Sequence, residues 1–121
     1  MKFRLSAAAE EAIALLLAYT HERFGEIARQ RYEALLIAAL RDVADAPDRT
    51  GSVSRPELGD GVRSYHLRHS RTRAGAAQGV VRRPRHMLLY RAILPDRIGI
   101  GRVLHDSMEI ELHLPSRYGD E

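Results

Sequence analysis

The sequence predicts an α+β fold in which an N-terminal α-helical hairpin packs on a small, mainly antiparallel β-sheet, with a short C-terminal helix. Helical spacing of apolar residues fills the first half, and short apolar stretches bounded by turn residues fill the second. The length of 121 residues suits one hydrophobic core and is too short for two ordinary domains. We therefore expect a single domain over residues 1–121, with an extended loop at about 69–84.

Two helices are expected in the first half of the chain. After the strand-like stretch "KFRL", Ser6 precedes "AAAEEAIALLLAYTHERFG", where Ser is a preferred N-cap and Gly25 suits the position just past a helix end. The stretch "EIARQRYEALLIAALRDVADAP" repeats the helical spacing until Pro47 ends it. Two amphipathic helices joined at one glycine predict a helical hairpin.

Strands are expected in the second half. Residues 48–61 are rich in Gly, Pro, Ser and Asp and lack any period, so they are predicted to form a loop. Three strands are predicted after it: "VRSYHLR" (62–68), "RHMLLYRAIL" (85–94) and "RIGIGRVLH" (97–105). The turn residues Pro95 and Asp96 predict that the last two strands form a β-hairpin.

The last predicted strand has two distinct faces. Its period of two puts Ile98, Ile100, Arg102 and Leu104 on one face, and Gly99, Gly101 and Val103 on the other. Glycines in a strand often mark close backbone approach. We expect the glycine face to lie against the helical hairpin and Arg102 to project from the opposite face, with the reverse assignment as the alternative.

The composition excludes several classes of site. The chain has no cysteine, so disulfides, thiolate catalysis and cysteine-based metal sites are excluded. No run approaches the roughly 20 apolar residues that span a bilayer, and acidic residues interrupt the N-terminal stretch where a signal peptide would be apolar. We expect a soluble, cytoplasmic protein that binds no membrane and needs no cofactor.

Positive charge is concentrated in the middle of the chain. Residues 49–105 carry twelve arginines and three carboxylates, a formal charge of +9 within a total of +3. Because arginine binds phosphate and carboxylate groups in a bidentate way, an acidic or phosphate-bearing partner is one interpretation. A solvated basic surface is the other. For Arg71, Arg73, Arg82 and Arg83, in the extended segment, we favour an ordinary solvated loop over a specific arm.

The stretch "GRVLHDSME" (101–109) gathers polar residues at the end of the last strand. Asp106 and Glu109 have the spacing of a capping box, which predicts that "SMEIELHL" starts a short helix. His105, Glu109 and His113 share the spacing of ligands on one helical face, but His105 precedes the expected cap. We therefore favour a capping role over a catalytic role for Asp106 and Glu109, and we expect no metal site.

The order of elements and several motifs together resemble the ParE branch of the RelE/ParE toxin superfamily. The motifs are "LSAAAEEAI…YTHERFG", "ARQRYEALLIAAL", "GVRSYHL", "RHMLLYR" and "IGRVLHDSME…HL". The last of these is the most specific to the family, and the matches cover almost the whole chain. The resemblance implies a RelE/ParE-like fold and a toxin of a type II toxin–antitoxin system.

The resemblance leaves two target classes open. ParE-like members are thought to inhibit DNA gyrase and to be held inactive by a cognate ParD-like antitoxin in a hetero-oligomer. RelE-like members cut messenger RNA on the ribosome, using basic residues of the sheet and a tyrosine after an arginine of the last strand. Here Arg102 matches that arginine, but Met108 stands near the tyrosine position and no lysine follows Lys2. Since a thioether cannot transfer protons, we favour gyrase inhibition and expect a protein-directed inhibitor more than an enzyme.

The expected contact residues follow from these alternatives. We expect Arg63, Arg102, His105 and Met108 to contact the target. For a ribonuclease the catalytic candidates are Arg63, Arg102 and His105, because imidazole transfers protons near neutral pH and arginine holds phosphate. We expect Ile98, Ile100 and Arg102 to contact an extended or helical acidic antitoxin segment that folds on binding. An Arg-rich nucleic-acid-binding module is a third hypothesis.

Overall fold

The computed structural model of the chain describes residues 1–74 and 79–120. Two long helices, α1 (Ala7–Phe24) and α2 (Glu26–Asp45), follow a first strand, β1 (Lys2–Leu5). The remaining strands are β2 (Ser52–Ser54), β3 (Arg63–His66), β4 (His86–Leu94) and β5 (Arg97–His105). Short 3₁₀ turns cover Pro56–Leu58, Leu67–Ser70 and Ile110–Leu112. The expected α+β fold is confirmed, and the short C-terminal helix is a single 3₁₀ turn.

The strands form one five-stranded sheet in the order β1-β5-β4-β3-β2. β1 runs parallel to β5, with Leu5 opposite Ile100, and the other three pairs are antiparallel. β2 lies inside the segment 48–61, where a loop was expected. Three residues are too few to show a period in the sequence, and β2 exists because Ser52 and Ser54 pair with β3.

Local signals place the ends of α1. The hydroxyl oxygen of Ser6 accepts a hydrogen bond from the backbone N–H of Ala9 at 3.0 Å. The same hydroxyl donates to the carbonyl of Gly101 at 2.8 Å, which ties the helix start to β5. Gly25 has φ +93°, a conformation that favours glycine, and it separates α1 from α2. Both predicted caps are confirmed.

The main core lies between the helices and one face of the sheet. α2 contributes Leu35, Leu36, Ala39 and Val43, and the sheet contributes Tyr65, Leu88, Tyr90, Ile98, Ile100 and Val103. The expectation that Ile98 and Ile100 lie on an open surface is wrong, because both are fully buried beneath the helices. Neither side chain can reach an antitoxin unless the helices move.

The glycines of β5 face the C-terminal tail. A β-carbon on Gly99 would lie 1.8 Å from the carbonyl oxygen of Tyr118, and one on Gly101 would lie 2.7 Å from the Tyr118 ring. The expectation that the glycines pack against the helical hairpin is therefore wrong. They leave room for the tail on the outer face of the sheet, which is the face opposite the helices, where Tyr118 packs with Val62 and Leu89.

A β-bulge changes the alternation of side chains along β5. Leu89 lies opposite Arg102 and Tyr90 lies opposite Ile100, so Gly101 is the extra residue. Beyond the bulge, Val103 joins the core under the helices. Arg102 shares the outer face with Leu89, because residues directly opposite in a sheet point the same way.

An ion pair ties the Arg-rich segment 69–84 to α2, and a hydrogen bond joins two of the segment's own arginines. Arg73 Nε lies 3.1 Å from Oδ1 of the buried Asp42, and Arg71 Nη1 donates to the carbonyl of Arg82 at 3.1 Å. All four arginines of the segment are exposed. Residues 75–78 lie outside the described residues. Within the described ranges, neither helix has the length and apolar character that crossing a bilayer requires.

Candidate functional site

An open groove of about 910 Å³ runs between α1, the start of α2, the segment before β4 and the end of β5. Its wall is apolar and comes chiefly from Leu15, Leu16, Tyr19, Phe24, Val80 and Met108, and its arginines are Arg31, Arg82, Arg83, Arg85 and Arg102. Leu15 is 64% exposed and Phe24 is 68% exposed. A contiguous apolar patch with a charged rim is typical of a surface that binds another macromolecule.

One end of the groove carries a tyrosine and two histidines. The Tyr32 hydroxyl lies 2.6 Å from Nδ1 of His86, and its oxygen accepts the backbone N–H of Arg85 at 3.2 Å. The rings of His86 and His105 meet edge to face, with centroids 5.2 Å apart. Burial, followed by the nearby His105, lowers the pKa of His86 to about 4. His86 is therefore neutral at physiological pH.

Asp106 closes the polar end from the outer face. Its Oδ2 lies 3.0 Å from His66 Nε2, and its Oδ1 accepts from Arg85 Nε at 3.0 Å. The hydrogen bond from His66, followed by that from Arg85, holds the pKa of Asp106 below its usual value. The capping box expected here is wrong. Asp106 joins three strands instead, and the Glu109 side chain makes no capping hydrogen bond to the 3₁₀ turn that follows it.

Arg63 lies apart from the other predicted contact residues. It is opposite Tyr90 in the register, on the helix side of the sheet, and its Nε donates to Ser52 Oγ at 2.7 Å. The expectation that it joins Arg102 is wrong, because the two side chains lie on opposite faces of the sheet. Arg63 links β3 to β2, and this role explains its position.

Arg102, His105 and Met108 do lie together at the groove. Met108 is 43% exposed, and His105 Nδ1 accepts the backbone N–H of Ser107 at 3.1 Å. Arg102 Nε is buried and has no hydrogen-bond partner among the described residues. A buried donor without a partner costs free energy.

Sequence reasoning missed most of the groove. Leu15 and Phe24 carry the helical apolar signal that normally marks a core, and only packing shows that they are exposed. Tyr32 and His86 are 54 residues apart and meet through tertiary contact alone. Within the described residues, no three His, Asp or Glu side chains are grouped to hold a metal ion.

The comparison with protein families agrees with this geometry. A model of the family described as "ParE toxin of type II toxin-antitoxin system, parDE" matches residues 3–110. The match runs from the second residue of β1 to the first residue of the last 3₁₀ turn, so it includes both long helices and the other four strands in full. No curated protein matches the sequence. The helical hairpin on a five-stranded mixed sheet fits the same assignment. The chain belongs to the ParE toxin family of type II toxin–antitoxin systems.

Proposed function

We propose that this toxin inhibits DNA gyrase in the cytoplasm and that a ParD-like antitoxin neutralises it by filling the groove. The observation that carries the proposal is the groove itself, an open apolar surface edged by arginines in a ParE-family chain. Such a surface is built for binding another protein and needs no bond-breaking chemistry.

The shape and charge of the groove indicate what kind of antitoxin segment would bind there. An amphipathic helix lays its apolar face in a groove of this kind, where Leu15, Tyr19 and Phe24 would receive it. Carboxylates on the polar face of that helix would pair with the arginines of the rim. An acidic segment that folds on binding therefore fits better than a basic or neutral one.

Arg82 and Arg83 give the groove its exposed polar rim, because both line it and both side chains are exposed. Carboxylates of the antitoxin segment would meet these two guanidinium groups first. Arg102 borders the groove, but its register with Leu89 directs its side chain to the outer face of the sheet.

Overlap between the gyrase-binding surface and the antitoxin-binding surface would explain how the antitoxin neutralises the toxin. Arg102, His105 and Met108 are the residues expected to contact the target, and all three line the groove. An antitoxin in the groove would cover His105 and Met108, while the side chain of Arg102 points to the outer face of the sheet. We infer that the antitoxin blocks the toxin by occupying the gyrase-binding surface directly.

A ribonuclease remains the second candidate, favoured by the pair of imidazoles His86 and His105 beside Arg85. Two observations weigh against it. A pKa of about 4 makes His86 a weak base at neutral pH. Met108 supplies a thioether where proton transfer would be needed.

Assays with the purified protein separate the two candidates. We expect inhibition of gyrase supercoiling with accumulation of cleaved DNA, while message on translating ribosomes stays intact. Ribosome-dependent cleavage that is lost in His105→Ala would reverse this order. Growth arrest on induction without antitoxin is expected in either case.

The groove is tested by placing charge in it. Leu15→Glu and Phe24→Glu should each weaken binding of the antitoxin encoded beside this gene by at least about tenfold, because an acidic segment would then meet a carboxylate. Ile37→Glu is the matched control, since Ile37 is 44% exposed on α2 and lies outside the groove. Equal weakening in all three variants would place the antitoxin elsewhere.

A further inference from the structure

A second hollow, of about 470 Å³, lies on the outer face of the sheet, across the sheet from the groove. We call it the outer hollow and define it by Arg55, Ser64, His66, Arg68, His69 and Arg85. Tyr65 points into the core under the helices, so its neighbours Ser64 and His66 point outward. Arg85 also borders the groove, and the other five residues do not.

The polar groups of the outer hollow come from three separate parts of the chain. Arg55 follows β2, His66 ends β3, Arg68 lies in the 3₁₀ turn after it, and Arg85 precedes β4. Residues so far apart in sequence converge only because three strands pair side by side. The convergence of three guanidinium groups on one concave surface is therefore a property of the fold.

The carboxylates near the outer hollow leave it positively charged. Asp106 is already held by His66 and by Arg85, whose Nη2 lies 3.0 Å from Oδ1. Glu57 lies 3.8 Å from Arg55 Nη1 and is itself about half exposed. Among the described residues, Arg68 has no carboxylate partner. Three arginines thus face two carboxylates, with His66 adding positive charge whenever it is protonated.

The surroundings of His69 report the same positive field. Burial lowers the pKa of His69, and the charges of Arg68, His66 and Arg49 lower it further. Burial, the larger cause, disfavours charge of either sign, but the part that comes from the neighbouring positive charges favours an anion in the same place. The electrostatics and the arrangement of side chains therefore agree.

Ser64 offers a neutral donor in the same place. Its hydroxyl accepts from Arg55 Nε at 3.0 Å, and its own proton has no acceptor among the described residues. The residue is 4% exposed, so this hydrogen-bonding capacity is nearly sealed from bulk water. A ligand oxygen that reached the floor of the hollow would satisfy it.

We propose that the outer hollow binds a phosphate group carried by a nucleotide or by a nucleic-acid strand, with Arg68 and Arg55 as its main cations and Ser64 as a hydroxyl donor. Planar guanidinium groups bind phosphate oxygens in a bidentate way, which suits a site with several arginines. Free nucleotides and nucleic-acid backbones share this chemistry. Because Arg55, Arg68 and Ser64 lie outside the groove, phosphate binding should persist when the antitoxin is bound.

The experiment measures binding of a fluorescent oligothymidine strand and of ATP to the purified full chain across a range of salt concentrations. The test variant is Arg55→Gln with Arg68→Gln. Arg41→Gln is the control, because Arg41 is exposed on α2 and lines a different hollow. Arg68→Gln alone repeats the test with an exposed side chain if the double variant melts at a lower temperature.

We expect the double variant to lose about tenfold or more in affinity for the strand and for ATP. The control variant should lose less than about twofold. For the strand, each lost phosphate contact should reduce the slope of log affinity against log salt by about 0.7. Tighter binding of the strand than of ATP identifies a nucleic-acid backbone as the source, and equal binding identifies a nucleotide. Equal losses in control and test variants, or no binding of either probe at low salt, would overturn the proposal. Gyrase inhibition, measured separately, is independent of these outcomes.

Discussion

The hydroxyl of Tyr32 on α2 lies 2.6 Å from Nδ1 of His86 on β4. Because the Tyr32 oxygen accepts the backbone N–H of Arg85, its own proton is free to donate to His86. Nδ1 is then an acceptor, and the neutral imidazole carries its proton on Nε2. This contact fastens α2 to the sheet at the polar end of the groove.

We expect acid to weaken the fold through His86. Its pKa is about 4 in the folded chain against 6.5 when unperturbed, so the unfolded chain takes up the proton first as pH falls. The stability that neutral His86 contributes is full above pH 6.5 and is lost as pH falls towards 4. The loss should reach about 2 to 3 kcal/mol.

Urea unfolding of the natural chain and of His86→Asn, at several pH values, checks this expectation. Asparagine keeps an acceptor near the Tyr32 hydroxyl and cannot titrate. The difference in unfolding free energy between the two proteins should change across the window from pH 6.5 to 4. Parallel curves would show that His86 does not titrate as its surroundings imply.

Asp42 should be among the most costly residues to replace. It is 2% exposed, accepts from Ser70 Oγ at 2.6 Å, and lies within 3.4 Å of Arg49. Tyr65 extends the network, since its hydroxyl lies 2.8 Å from Ser70 Oγ. Asp42→Ala would leave these buried partners unsatisfied and should lower the unfolding free energy by about 3 kcal/mol.

Denaturant unfolding of a matched pair tests the Asp42 network. Asp45→Ala lies on the same helix at an exposed position and should change stability by less than about 0.5 kcal/mol. Similar losses in the two variants would mean that helix propensity, and not the buried network, sets the effect.

Gly99→Ala should displace the C-terminal tail. The new methyl group would lie 1.8 Å from the Tyr118 carbonyl oxygen, so the backbone of the tail must move. Faster hydrogen exchange at residues 115–120 would report the displacement. Gly25→Ala is the comparison, because its added carbon meets nothing within 4 Å and its cost comes from φ +93° alone. Unchanged exchange in Gly99→Ala would contradict the packing described above.

Arg63 and Met108 should separate structural from binding roles. Arg63→Gln removes a hydrogen bond to Ser52 and should cost about 1 kcal/mol of stability while leaving antitoxin affinity within about twofold. Met108→Glu places a carboxylate at the groove. It should weaken the binding of an acidic antitoxin by about tenfold, with little change in the stability of the toxin. Calorimetric titration and thermal melts measure the two effects. A larger loss of antitoxin affinity in Arg63→Gln would show that Arg63 belongs to the binding surface.

The candidate site was predicted only in part, for reasons that particular residues show. The sequence predicts that His105 and Met108 lie together near the end of the last strand, and they do, because only two residues separate them. Arg63 was misplaced because its face depends on register with β4. Leu15 and Phe24 lie in a stretch whose apolar spacing predicts a helix, and no sequence signal tells a buried apolar residue from an exposed one on a helix.

The sequence by itself determined the elements whose causes are local. Ser6 and Gly25 set the ends of α1 through capping and backbone conformation, and apolar spacing set both helices and the two long strands. Tertiary structure decided which side of each strand is buried. A single extra residue at Gly101 shifts the alternation of β5, and the C-terminal tail covers the glycines on the outer face. These outcomes depend on pairings between distant residues, whose energies are absent from any local stretch of the chain.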